Sequence, residues 1–166
     1  MDLEQRVADL ERRLAALEGD RHAGPRVDGG DFWALNGLKD QLSGAGVADG
    51  GVLYTGAVRL PTGEEYAWQM TALTQELLDG DGAAAAESFA ALGHPVRLRL
   101  LREIIGGRRT AAELAELDEV GTTGQIYHHL SRLMGTGWLH STGRGRYEVP
   151  PARVVPLLVA LATARP

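Results

Sequence analysis

The stretch TTGQIYHHLSRLMGTGWL, residues 122–139, decides the fold of this chain. It predicts a helix that ends at a glycine and runs into a short strand. On a helical wheel of about 100° per residue, one side is mainly apolar and consists of Ile126, His129, Leu130 and Leu133. Because an apolar helix side must face a core, we expect the opposite side to face solvent.

The solvent side of the predicted helix is polar and includes a glycine near its N-terminal end. It is formed by Gly124, Gln125, His128, Ser131 and Arg132, with Thr123 and Tyr127 at its margins. The missing side chain of Gly124 permits close approach to a phosphate or a base, and a helix N-terminus attracts anions through its free N–H groups. We therefore expect this side to enter the major groove of duplex DNA.

Three residues of this helix have alternative interpretations. Gln125 either contacts a base or only closes the helix cap, and His128 either bonds a base edge or phosphate or is simply solvated. His129 is expected to be an inner, structural histidine with its hydrogen bonds satisfied. Adjacent helical positions point about 100° apart, so we do not expect the two histidines to share one metal ion.

Two helix-capping motifs stand in series. In Thr110-Ala-Ala-Glu113 the hydroxyl can accept from the backbone N–H of Glu113, whose carboxylate reaches back, and the helix is expected to continue to Leu117. Five residues later, Thr122-Thr-Gly-Gln125 repeats the pattern. Two short capped helices at this separation are typical of a helix-turn-helix.

A hairpin is predicted behind the second helix, with residues 138–140 pairing with residues 145–149. Arg144 and Arg146 lie at or beside its tip. We expect them to contact phosphates or the minor groove of DNA, the alternative being that they are solvated surface charges.

The composition limits the functions that the chain can have. Its 166 residues are 44% hydrophobic and include no cysteine, which excludes disulfides, thiolate metal sites and a cysteine nucleophile. The net charge of −5 hides an asymmetry: residues 1–87 hold 7 Lys/Arg and 16 Asp/Glu, a net of −9, whereas residues 88–166 hold 10 and 6, a net of +4. The basic half is the candidate for facing DNA, unless the two halves simply attract each other.

Two further classes of function are not expected. The N-terminus MDLEQRVADLERR lacks the pattern of a signal peptide, and the apolar residues 154–162 are too short to span a bilayer, so we expect a cytoplasmic protein with no membrane partner. No histidine falls in a catalytic spacing, and no phosphate-binding glycine loop or nucleophile elbow occurs, so we do not expect an enzyme.

The N-terminal part is predicted to form two segments, residues 1–20 and 21–82, ahead of a domain over residues 83–166. The first segment has the coiled-coil spacing 4, 3, 4, 3 in Leu3, Val7, Leu10, Leu14 and Leu17. This pattern predicts either a dimer contact or an amphipathic helix that lies on its own domain.

The second segment combines a linker, a short helix over residues 31–42 with Asp31 as its N-cap, and a β-hairpin over residues 52–71 that turns at Pro61-Thr62-Gly63. Further helices are predicted over residues 71–78, 83–92 and 95–105. Four aromatic residues either line a pocket for an apolar small-molecule effector or form a small core, namely Trp33, Tyr54, Tyr66 and Trp68.

The predicted fold class is therefore α+β, a winged helix-turn-helix domain preceded by an N-terminal helix and a β-hairpin. The segments AALGHPVRLRLLREI, TAAELAEL, TTGQIYHHLSRLMGTGWL and GRGRYEV together resemble the ArsR-type (ArsR/SmtB) bacterial repressors over about residues 86–164. The resemblance implies a homodimer that binds a palindromic operator. It maps the DNA contacts of that family onto Thr122, Thr123, Gln125, Tyr127, His128, Arg132, Arg144 and Arg146.

The chain departs from this family at both of its usual metal sites. Residues 113–118, in the first helix of the predicted helix-turn-helix, lack the cysteines of the thiolate sensors, and residues 156–164 lack the His and Asp/Glu ligands of the zinc-type sensors. We therefore expect no metal or other cofactor. The C-terminal segment is nearly all apolar, and we expect Leu157, Leu158 and Leu161 to be buried across a dimer interface.

Two functions remain in competition. The favoured one is a sequence-specific DNA-binding transcriptional regulator, a repressor that does not sense metals through thiolates. The alternative is a winged-helix protein-interaction module that does not bind DNA.

Overall fold

The structure is a computed structural model that describes residue 5 and residues 32–165. Contacts divide the chain into two compact units, residues 1–36 and 37–166. The predicted N-cap Asp31 and the heptad residues lie outside the described part, the latter being Leu3, Val7, Leu10, Leu14 and Leu17.

The described part contains seven helices and two antiparallel hairpins. The first half has helix α1 (Trp33–Gly44), strands β1 (Gly51–Arg59) and β2 (Glu65–Leu73), and helices α2 (Thr74–Asp79) and α3 (Gly82–Leu92). The second half has α4 (Pro95–Ile105), α5 (Ala111–Ala115), α6 (Thr123–Gly135), β3 (His140–Gly143), β4 (Arg146–Glu148) and α7 (Pro151–Thr163). This α+β arrangement is compatible with a winged helix. No helix in the part described is both long and apolar enough to cross a membrane.

The predicted β1–β2 hairpin is confirmed, with Gly51 opposite Leu73 and Arg59 opposite Glu65. Its turn closes through a hydrogen bond from the N–H of Gly63 to the carbonyl of Leu60 (2.9 Å). Gly63 has a φ of 89°, which glycine adopts without the steric cost that a side chain brings.

The helix predicted over residues 71–78 is wrong at its start. Residues 71–73 continue β2 and pair with residues 51–53, so the strand ladder takes up their backbone groups. The helix begins only at Thr74, where the carboxylate of Glu76 accepts from the N–H of Leu73 (3.4 Å). Three other helices also differ at their ends: α1 spans Trp33–Gly44 rather than residues 31–42, α3 begins at Gly82 rather than at residue 83, and α5 ends at Ala115 rather than at Leu117.

Sequence-encoded caps explain where the later helices begin. The Asp81 carboxylate accepts from the N–H groups of Ala83 and Ala84 (2.9 and 3.4 Å) and starts α3. His94 starts α4, since its Nδ1 accepts from the N–H of Val96 (3.2 Å), and Pro95 occupies the first turn as predicted.

The predicted strand over residues 138–140 is shifted in the structure to residues 140–143. The N–H groups of Trp138 and Leu139 both bond the carbonyl of Leu133 (2.9 and 3.2 Å), which closes the end of α6 instead of pairing with a strand. Both side chains are buried in the core. The indole Nε1 of Trp138 donates to Ser88 Oγ (3.0 Å), and the guanidinium of Arg153 lies 4.8 Å from the centre of a Trp138 ring.

One apolar core joins the later helices to both hairpins. Its fully buried centre includes Leu100, Leu101, Ile104, Leu114, Ile126, Leu130, Leu133 and Leu157. The β1–β2 hairpin packs against α7, and its residues Val58, Leu60 and Tyr66 join the same core.

The β3–β4 hairpin is anchored to the segment that leads into α5. The N–H of Tyr147 donates to the carbonyl of Arg109 (2.7 Å), and the N–H of Ala111 donates to the carbonyl of Gly145 (3.2 Å). The hairpin tip is therefore fixed relative to α5, which packs against α6.

Candidate nucleic-acid interface

Helix α6 begins at the predicted capping box, and the box is complete. Thr122 Oγ1 accepts from the N–H of Gln125 (3.4 Å), and Gln125 Oε1 accepts from the N–H of Thr122 (2.8 Å). The amide oxygen of Gln125 is thus occupied, while its NH₂ group has no hydrogen-bond partner within residues 32–165. A glutamine in this state can cap the helix and still donate to an acceptor outside the chain.

The division of α6 into two sides follows the prediction. Ile126, Leu130 and Leu133 are buried, and a Cβ added at Gly124 would meet nothing within 4 Å. The predicted contact residues of this helix are all exposed, including Tyr127 at 49%; the others are Thr122, Thr123, Gln125, His128 and Arg132. The polar side of α6 is therefore open to a partner along its length.

The tip of the β3–β4 hairpin carries Arg144 in a left-handed conformation. Its φ is 52°, and it lies between Gly143 (φ 98°) and Gly145 (φ 69°). A non-glycine residue at positive φ is uncommon and costs conformational energy. Arg144 is exposed and has no ion pair among the residues that the structure describes, so its charge is available to an anion.

Arg146 is also exposed, but its charge is partly paired. Its Nε lies 3.7 Å from Glu148 Oε1, an oxygen that also bonds Nη1 of Arg109 (3.2 Å). Arg109, whose side chain is only 12% exposed, additionally binds Glu64 in the β1–β2 turn. This group of four charges ties the first hairpin to the second.

The pKa values of the Arg109 group reflect this pairing. The hydrogen bond from Arg109, with a second one from Thr62 (2.7 Å), lowers the pKa of Glu64. The bond to Glu64 in turn raises the pKa of Arg109 against the opposing effect of burial. The role of Arg109 could not be predicted from the sequence, because nothing in the local pattern links it to a carboxylate 45 residues away in the chain.

Helix α6 and strand β4 each carry one tyrosine, Tyr127 and Tyr147. Tyr147 is buried, and burial raises the pKa of its hydroxyl, with a smaller contribution from Tyr127 on α6. Helix α6 and the hairpin that carries Arg144 and Arg146 are joined through a shared core, to which Ile126 and Tyr147 both belong.

His129 lies on the inner side of α6, as predicted, but it is not satisfied as a structural histidine was expected to be. Its Nδ1 is buried without a hydrogen-bond partner in the described part of the chain. Its ring centre lies 4.7 Å from that of His94 and 5.9 Å from that of His128. Burial first, and then the neighbouring His94, Arg97 and His128, lower the pKa of His129.

This histidine cluster does not meet the requirement for a metal centre. Among the residues described, no three His, Asp or Glu side chains are placed to hold one ion. The nearby positive charge of Arg97 also opposes a bound cation.

The predicted aromatic residues differ in their surroundings. Tyr66 packs against the core, and the Tyr54 hydroxyl donates to Met70 Sδ (2.9 Å). Trp68 and Trp33 are 36% and 64% exposed. Tyr66 alone of these four lines the hollow of about 380 Å³ beside the hairpin, an arrangement that favours a structural role.

The residues assigned to dimerisation on the C-terminal helix are not equivalent. Leu157 is 0% exposed and belongs to the chain's own core, so its side chain is not offered to a partner. Leu158 and Leu161 are partly buried and pack against the same core. A comparison of the chain with known protein families, curated proteins and solved structures finds no match to any of them.

Proposed function

We propose that this chain is a sequence-specific DNA-binding transcriptional repressor of the ArsR type, with a winged helix-turn-helix fold. The observation that carries the proposal is the exposed polar side of α6, capped by Thr122 and Gln125 and open at Gly124. A helix of this kind fits the major groove of duplex DNA, which admits one helix and presents base edges to it.

Base contacts are proposed for the side chains that keep free donors or acceptors on this side. The free NH₂ group of Gln125 suits an acceptor on a base edge, and His128 has the same outward orientation. Thr122, Thr123 and Tyr127 complete the groove-facing set. Arg132 is proposed to contact the sugar–phosphate backbone of the DNA.

Phosphate contacts are proposed for the β3–β4 hairpin, which would act as the wing. Arg144 carries an unpaired charge at the tip, whereas Arg146 shares Glu148 with Arg109. We therefore expect Arg144 to contribute more to DNA affinity than Arg146 does.

The chain is proposed to act as a homodimer, since a palindromic operator requires two copies related by a two-fold axis. Leu158 and Leu161 remain candidates for the contact, as do the heptad residues beyond the described part. No cysteine is available for thiolate sensing, and a small-molecule effector is proposed in its place.

The experiment that tests this function is titration of labelled duplexes from upstream of its gene at several salt concentrations. With several phosphate contacts, the affinity should fall on the order of tenfold or more between about 50 and 200 mM salt. Absence of binding to every such fragment at low salt would contradict the proposal.

A second candidate function, protein docking, is favoured by exposed apolar side chains on α2 and α3, namely Leu77, Leu78 and Phe89. The two functions differ in their dependence on charge. A docking module should keep its partner when Arg144 and Arg146 are replaced by alanine, whereas a DNA-binding protein should lose affinity.

A further inference from the structure

A cavity of about 400 Å³ lies between helices α3, α4 and α6, beside the C-terminal half of the proposed DNA-facing helix. Its lining brings together two guanidinium groups, from Arg97 and Arg132, and two hydroxyl groups, from Ser131 and Thr136. Glu87 stands on the α3 side. The predicted motifs do not account for this combination.

The side chain of Arg97 is held in place by the end of α3. Its Nε donates to the carbonyl of Ala91 (2.6 Å) and its Nη2 to the carbonyl of Ala90 (2.7 Å). Its Nη1 has no partner within residues 32–165. The guanidinium is therefore fixed and retains N–H donors for a ligand in the cavity.

Arg132 supplies a second positive charge close to the first. Burial, and next the charge of Arg132, lower the pKa of Arg97. Glu87 lines the same cavity, but neither arginine forms an ion pair with it or with any other carboxylate in residues 32–165. Two like charges that face one cavity repel each other, and an anion bound between them would offset that repulsion.

The two hydroxyl groups of the cavity differ in what they can offer a ligand. Thr136 Oγ1 donates to the carbonyls of Arg132 and Leu133 (3.2 and 3.3 Å), so in the cavity it can only accept. Ser131 has no hydrogen bond within the described residues and can donate. An anion in the cavity can therefore accept a hydrogen bond from Ser131 but not from Thr136.

We infer that the Arg97–Arg132 cavity binds a phosphate group. A phosphate diester of the DNA backbone and a free phosphorylated small molecule both present phosphate oxygens that accept hydrogen bonds from guanidinium groups. Binding of a DNA phosphate in this cavity rests on the proposed function, because Arg132 belongs to the exposed side of α6. Binding of a free phosphorylated small molecule does not.

The test uses the full chain and inorganic phosphate at constant ionic strength, with NMR detection of the arginine Nε–Hε groups. Phosphate should shift the Arg97 and Arg132 signals saturably. Arg132→Gln should weaken phosphate binding about tenfold, as expected for the loss of a charged hydrogen bond. Arg165→Gln, which removes one exposed charge at the C-terminus, should leave it unchanged.

A second variant, Gly135→Gln, adds a long side chain at a residue that lines the cavity and alters neither arginine. Gly135 lines the cavity, and a Cβ there would meet nothing within 4 Å, so the fold should tolerate the change. It should abolish the saturable response, and a thermal melt verifies folding. No saturable shift with phosphate or with duplex DNA, or a shift that Gly135→Gln leaves intact, would overturn the inference.

Duplex DNA distinguishes the two sources. If a phosphate of the DNA backbone occupies the cavity, DNA should shift the same two signals, and Gly135→Gln should weaken DNA binding. The slope of log affinity against log salt concentration (the salt slope) should then fall by about one. If the ligand is free phosphate, Gly135→Gln should leave DNA affinity unchanged while phosphate binding is lost. If the protein responds saturably to phosphate but binds no DNA, the inferred phosphate site stands and only the proposed DNA-binding function is refuted.

Discussion

Gly56 and Val155 pack so closely that a Cβ on Gly56 would lie 2.7 Å from Cγ1 of Val155. This approach lets the β1–β2 hairpin lie against α7. Replacement by alanine forces either the hairpin or the Val155 side chain to move. We expect Gly56→Ala to lower the free energy of unfolding by about 1–3 kcal/mol, as overpacking does.

Urea denaturation measures this change. Gly37→Ala is the matched control, since that glycine lies within α1 and its added Cβ would meet nothing within 4 Å. The control should be neutral or stabilising by about 0.5–1 kcal/mol. Val155→Ala should restore part of the loss in the double variant. Equal stability of Gly56→Ala and wild type would show that the contact is not tight.

The capping role of Gln125 can be separated from its proposed base contact. In Gln125→Glu a carboxylate keeps the acceptor for the N–H of Thr122, but the NH₂ donors are lost and a negative charge faces the DNA. We expect the melting temperature to be retained and DNA affinity to fall by about tenfold or more, since a donor to the base edge is lost and a negative charge is added.

Glu113→Gln is the corresponding control in the α5 box, where Glu113 accepts from the N–H of Thr110 (2.8 Å). It should not lower DNA affinity, because it removes no donor from α6 and no positive charge from the hairpin. If Gln125→Glu binds DNA as tightly as wild type does, Gln125 serves only as a cap.

Arg144 combines backbone strain with a proposed phosphate contact, and Arg144→Gly separates the two. Glycine adopts a φ of 52° readily, so the variant should be as stable as wild type or more stable by about 1 kcal/mol. Loss of the charge should weaken binding to all DNA sequences and reduce the salt slope by about one. A less stable variant, or an unchanged slope, would contradict this account of the tip.

The Arg109–Glu64 pair predicts a pH-dependent contribution to stability. Because the folded-state pKa of Glu64 lies below its ordinary value of 4.5, the pair stabilises the fold above that value. The contribution is lost as the pH falls through the lowered pKa. The melting temperature of Glu64→Gln should therefore be lower than that of wild type at neutral pH, and the difference in melting temperature should shrink in acid.

Melting curves of both proteins between neutral and acidic pH make the comparison. Glu65→Gln is the control, since Glu65 is exposed and lies 3.7 Å from the exposed Arg59. Such surface pairs contribute little to stability. A melting difference between Glu64→Gln and wild type that is independent of pH would show that ionisation of Glu64 is not the cause.

The helices that could be predicted best are those whose signals are local. The capping boxes at Thr110 and Thr122, and Pro95 after His94, fixed the starts of α5, α6 and α4 within the chain. Each such start depends on side chains within a few residues of the backbone groups that they satisfy.

The features that could not be predicted depend on contacts distant in sequence. Trp138 and Leu139 follow a strand-like pattern, but the carbonyl of Leu133 and the core hold them outside β3. The sequence around Arg97 does not distinguish it from the other arginines, because its place in a cavity depends on the packing of α3 and α6 beside it. Local periodicity records which side of an element is apolar, and it does not record which distant charges the packing brings together.

The most direct test of the central claim is selection of bound duplexes from a random-sequence DNA library. The account predicts enrichment of an inverted repeat whose half-sites are centred about one helical turn, roughly 10 base pairs, or a multiple of it apart. The Gln125→Glu protein should lose that enrichment. Recovery of no common sequence by the wild-type protein, at a salt concentration where it still binds DNA, would contradict the claim of sequence-specific recognition by α6.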